Sequence, residues 1–200
     1  MEELRRGHVL DRPAVVGIDA LETNACFWVE ASWNLYAKGY RIAAESMFER
    51  VSSEGRHMDS TVYPLVFLWR QYLELRLKQA ILTGHGILNE GERADLLLTH
   101  SLSKLWRKAE PILCKVVPEA NEETAAASEI IAQFDALDPD SMAFRYPVSR
   151  DGHATVPRRS NLCLQNFDCV MRQLARYLDD VTSYFDHVEG ELLALAHDNR

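Results

Sequence analysis

The stretch AFRYPVSRDGH, residues 143–153, gathers two guanidinium groups (Arg145, Arg150), a phenol (Tyr146), an Asp-Gly turn and an imidazole (His153). An imidazole takes or gives a proton near neutral pH. A guanidinium stabilises negative charge that builds on phosphorus. Arg145 and His153 are therefore the first candidates for acid–base work on a phosphate, Arg145 as cation and His153 as proton carrier. Arg145, Tyr146, Arg150, Arg158 and Arg159 form the candidate ligand-binding set, and their arginines make the densest cationic run in the chain. His100, at the start of THSLSKLW, is a further candidate imidazole. The bland readings are a solvated basic loop, an exposed histidine behind a turn, and a histidine that only packs or hydrogen-bonds at a helix start.

Arg70, Glu74 and Lys78 form a second group, spaced four apart in STVYPLVFLWRQYLELRLKQAILT, the most apolar stretch of the chain. That spacing puts them on one helical face as a seam of ion pairs. Glu74 is also a possible carboxylate partner for Arg145, which could otherwise stack on the aromatic residues beside it. The four cysteines, Cys26, Cys114, Cys163 and Cys169, contain no Cys-x-x-Cys pair and sit among apolar neighbours. They are expected as reduced, mostly buried thiols. No His/Cys cluster has zinc-ligand spacing, so neither a metal nor a cofactor is expected.

The elements that must position these groups read as helices. Trp33, Tyr36, Tyr40, Ala43, Ala44, Met47 and Val51 recur every three or four positions. SSEGRHMDS ends this first helix and offers Asp59 or Ser60 as the next N-cap. A second helix over about 60–83 is apolar on more than one face, which makes it central; Gly84 and Gly86 are expected to stop it. A connection then leads to helices over about 101–117, with a possible kink at Pro111, and about 121–137. A last helix runs over about 161–188, capped by Ser160 or Asn161. Between the last two, β-branched and aromatic residues around Asp151-Gly152 predict a short hairpin at about 143–157, its strands confined to edges by Pro147 and Pro157. The fold class is all-α: a bundle of about five helices with one hairpin before the last. Residues 1–28 read as an N-terminal extension and 29–200 as the bundle.

The 200 residues carry 22 cationic and 30 acidic side chains, a net charge of −8. That balance disfavours sequence-independent binding to nucleic acid. The first residues lack an apolar core of signal-peptide length, and no stretch approaches the roughly 18 apolar residues that span a bilayer. A cytoplasmic protein without membrane contact is expected.

Four segments, in order, resemble the HEPN superfamily of helical bundles (higher eukaryotes and prokaryotes nucleotide-binding). They are YAKGYRIAAESMFE, FLWRQYLELRLKQAIL, THSLSKLW and FRYP, within about residues 35–188. The resemblance implies a five-helix bundle, a homodimer, and either a metal-independent endoribonuclease or a non-catalytic binder of nucleotides or partners. Such proteins serve bacterial defence, CRISPR and toxin–antitoxin systems. The family's nuclease signature is an Arg, usually a polar residue next, and a His after four to six intervening residues. Arg145 and His153 are separated by seven, Arg150 and His153 by two. Arg50–His57 and Arg93–His100 have six, but apolar Val51 and Ala94 follow the arginines. The expected function is therefore a non-catalytic, dimeric nucleotide- or partner-binding module, its partner protein encoded alongside. The alternative is an endoribonuclease using an Arg/His pair on RNA.

Overall fold

The computed structural model describes residues 32–90, 99–139, 141–156 and 161–198. They form five helices: α1 (Trp33–Glu54), α2 (Met58–Leu88), α3 (Leu102–Val116), α4 (Asn121–Leu137) and α5 (Leu164–Asp198). A single 3-10 turn, Pro118–Ala120, joins α3 to α4. The all-α class is as expected. The extension predicted at 1–28 lies outside the described residues, as do Cys26, Arg158 and Arg159. None of the described helices is long and apolar enough to cross a membrane.

α1 starts where Ser32 accepts the Leu35 amide and ends at Gly55, whose φ of 64° allows its amide to reach the Val51 carbonyl. Its buried residues are Ala37, Ala44, Phe48 and Val51. The predicted stripe was off by a fraction of a turn: Tyr40 and Met47 pack against the core, but Tyr36 is 57% exposed. The small Ala37 and Ala44 sit innermost, where they let α1 lie close to α2.

α2 is the central helix, packed against α1, α3 and α5. Trp69, Tyr72, Leu73, Leu77 and Ile81 are fully buried on its several faces. Its N-cap is His57, in a left-handed conformation, and not Asp59 or Ser60; the Ser60 and Thr61 hydroxyls both donate to the His57 carbonyl. The expected stop at Gly84 does not occur. The helix runs on to Leu88 and closes at Asn89, also left-handed. Gly84 has a packing role: a Cβ there would lie 2.2 Å from Ile112 Cγ2 and 3.0 Å from Phe185 Cε2. The glycine is the close-approach point for α3 and α5, so its helix-propensity cost is offset by contact.

α3 buries one face through Leu102, Leu105, Trp106, Ala109, Ile112 and Leu113, with Pro111 on the exposed side. α4 lays Ala127, Ile131 and Phe134 into the same core. α5 contributes Phe167, Met171, Leu174, Leu178 and Phe185, and it continues ten residues past the expected end at 188.

The predicted hairpin is a correction. Among the described residues, 143–156 contain no strand, only one antiparallel bridge between Val148 and Ala154. The Ser149 amide donates to the His153 carbonyl at 2.8 Å, and Gly152, at φ 79°, closes the turn. Pro147 has no amide to extend the ladder. The Thr155 amide still reaches the Pro147 carbonyl at 3.3 Å, and its hydroxyl ties the segment to the Ala143 and Tyr146 carbonyls. The cysteines also differ from expectation: Cys114, Cys163 and Cys169 are free and exposed, because they fall on the outer sides of α3 and α5 or just before α5.

A candidate polar site on the central helix

The seam predicted on α2 exists, and it is buried. Arg70 is 0% and Glu74 3% exposed. Arg70 Nη1 donates to Glu74 Oε2 at 3.1 Å and Lys78 Nζ to Glu74 Oε1 at 2.8 Å. Burial alone would raise the Glu74 carboxyl, but hydrogen bonds and charge from Lys78 and His100 hold it below its ordinary value. Glu74 is thus an ionised carboxylate fixed from two sides.

A third partner reaches it from α3. His100 precedes the cap Ser101, and its Nδ1 lies 2.8 Å from Glu74 Oε1. The His100 side chain is 64% exposed. Nδ1 faces the carboxylate, so Nε2 is the ring nitrogen left to the solvent side. The His100 carbonyl accepts from Arg70 Nη2, so backbone and ring are both anchored to α2. Arg70 Nε faces Asp138 Oδ2 at 3.2 Å, an ion pair outside hydrogen-bond alignment. Asp138 Oδ1 accepts the Met142 and Ala143 amides at 2.7 and 2.9 Å. Two cations and two carboxylates therefore balance behind one exposed imidazole.

Arg145 lies further along the same wall. Its guanidinium carbon sits 5.7 Å from the Phe67 ring centroid and 5.6 Å from that of Tyr146. No carboxylate pairs with it among the described residues. Phe67 and Glu74 are seven residues apart on α2, which places them on one face about 10 Å apart along the axis. Arg145 and His100 thus flank that face. Two cavities of 310 and 340 Å³ touch Arg145, sharing Phe144 and Tyr146. A larger one of 650 Å³ adjoins them through Tyr63, Phe144 and Val156.

Of the sequence candidates, Arg145 and Tyr146 come together, and His100 joins Glu74. Arg145 stacks on rings and leaves Glu74 to His100. Arg150 and His153 are exposed on the turn, and neither lines any of the three cavities. Asp138 and Phe67 were missed. Asp138 resembles an ordinary loop acid in LDPDS, and Phe67 an ordinary core aromatic; only the tertiary contact gives either a role. Among the described residues, no group of three or more His, Cys, Asp or Glu is placed to hold a metal ion.

The opposite face of α2 carries another polar seam. Tyr72 donates to Asp179 Oδ1 at 2.7 Å and to the Ala175 carbonyl at 3.0 Å. Arg76 Nε lies 2.7 Å from Asp179 Oδ1, and its Nη1 donates to Asn34 and Gln79. Arg41 of α1 also pairs with Asp179. Burial, with the Asp179 charge beside it, pushes the Tyr72 phenol well up, so it stays a donor.

No protein-family model, curated protein or solved structure matches this chain.

Proposed function

We propose that this chain is a HEPN-like module that binds RNA or a nucleotide phosphate without cleaving it. On this reading it works as a homodimer beside a partner protein in a bacterial defence or toxin–antitoxin system. One observation carries it: Arg145 is an exposed guanidinium held against Phe67 and Tyr146 and left without a carboxylate among the described residues. Orientation by two rings pre-forms a phosphate contact, and the neighbouring aromatic surface accepts a stacked base. Leu35, Tyr36 and Ile42, all at least 44% exposed on the outer side of α1, support the homodimer. The test is fluorescence anisotropy with labelled single-stranded RNA and with a nucleoside triphosphate. Arg145→Ala should weaken binding roughly tenfold or more. Equal binding by wild type and Arg145→Ala overturns the reading.

The Glu74–His100 pair favours a second reading, a metal-independent endoribonuclease. His100 Nε2 would take the 2′-hydroxyl proton, and Arg145 would stabilise the charge on phosphorus. This pairing uses His100, whose ring is oriented, in preference to His153. EDTA-resistant cleavage lost in His100→Ala and kept in His153→Ala supports it. Intact RNA with every form supports the binder.

A further inference from the structure

The three cavities share walls. The 650 Å³ cavity lies between the end of α1, the start of α2 and the segment leading into α5. It meets the second cavity at Tyr63, Phe144 and Val156, and the second meets the third at Phe144, Arg145 and Tyr146. Taken together as one trough, the three have two unlike ends. One end is mainly apolar, walled by Val51, Val62, Leu137, Leu162 and Leu164, with Ser52, Asn161 and Gln165 among its polar residues. The other ends at the guanidinium of Arg145, which has no carboxylate partner among the described residues. Asp59 is the one carboxylate among the lining residues. It belongs to the large cavity and not to the two that contain Arg145. An anionic group therefore has one favourable end.

We infer that this trough binds a small amphipathic anion, an aliphatic chain carrying a carboxylate or phosphate head, with the chain in the apolar cavity and the head on Arg145. The volume falls within the roughly 300–1,000 Å³ of small-molecule sites. A nucleobase's polar edges need several hydrogen-bond partners; Ser52, Asp59, Tyr63, Asn161 and Gln165 are the polar side chains here, and the rest of the wall is Val, Leu, Phe and Met. A methylene chain asks for none. The inference goes beyond the nucleotide reading and shares Arg145, Phe67 and Tyr146 with it.

Calorimetric titration of the full chain tests this, with hexanoate, octanoate, decanoate and decyl phosphate as probes and decyltrimethylammonium as the cationic control. Each added methylene should tighten carboxylate binding about fourfold until the cavity is full. Decyl phosphate and decanoate should both bind, and comparing them identifies the preferred head. Arg145→Gln should weaken decanoate roughly tenfold or more. Leu137→Gln, a change at a half-exposed position, should weaken it at least about fivefold while leaving RNA binding unchanged. Equal affinity for the cationic amphiphile, no dependence on chain length, or no saturable binding of any anion overturns the inference. RNA binding by a chain that takes up no decanoate sinks this inference alone. Decanoate binding by a chain that ignores RNA sinks the nucleotide reading and leaves the trough standing.

Discussion

α2 carries charge on two opposite faces, and the faces end differently. On one, Tyr72 and Arg76 meet Asp179 of α5, Arg76 also meets Asn34 of α1, Gln79 reaches Asp186 of α5, and Arg41 of α1 joins at Asp179. Every partner there belongs to a helix already packed on α2, so the network works as a joint. On the other, Arg70, Glu74 and Lys78 gather a loop carboxylate, Asp138, and an imidazole two-thirds in solvent. Buried charges cost desolvation on both faces. Only the second turns that cost into an oriented group at the surface. A polar network inside a bundle is therefore not by itself a site; the useful question is whether one of its members leaves the core in a fixed orientation.

The contrast can be broken by deletion. Glu74→Ala leaves Arg70 and Lys78 buried beside one remaining carboxylate, and it should cost about 3–5 kcal/mol in urea unfolding. Arg76→Ala should cost less, about 1–3 kcal/mol, because Asp179 is 25% exposed and can be hydrated while Arg41 still pairs with it. Equal losses would show that the faces do not differ in closure.

Acid sharpens the comparison. The folded Glu74 carboxyl lies below its ordinary value. The stability it adds is complete above the usual carboxylate range and disappears as pH falls through the lowered value. Asp168, beside Arg172 on α5, shifts the other way: burial raises it, and nearby Glu45 and Glu49 add to the rise against the Arg172 hydrogen bond. Its protonation is therefore easier in the fold than in the unfolded chain. Urea midpoints measured from pH 7 to pH 3 should fall less steeply for Glu74→Gln than for wild type, and more steeply for Asp168→Asn. Parallel curves for all three would remove the assignment.

The smallest effect belongs to His100. Its ring is mostly in water, so His100→Ala should change stability by about 0–1 kcal/mol. A loss as large as that for Glu74→Ala would make His100 part of the joint and not an outlet from it.

The helices were legible because their apolar residues recur at 3.6-residue spacing, and the Arg70–Glu74–Lys78 seam because i,i+4 contact is local. What failed was tertiary. Gly84 reads as a stop in sequence, yet it serves the approach of Ile112 and Phe185. The Asp-Gly turn promised two strands and gave a single bridge, since Pro147 and the Thr155 hydroxyl change the local bonding. Within the site, Glu74 was visible as a charged residue on a buried helix. Its contact with His100 spans 26 residues, and no periodicity reports such a distance. Asp138 is the C-cap of α4 and also the counter-charge to Arg70, and only the fold brings the two together.

Asp138 also sets a clock. It holds the Met142 and Ala143 amides with one oxygen and faces Arg70 with the other. Those amides lie in a loop, where deuterium uptake is usually fast, but they can open only when a carboxylate anchored to the middle of α2 lets go. They should take up deuterium at the pace of the core helices, while the Gly152 and His153 amides a few residues later exchange early.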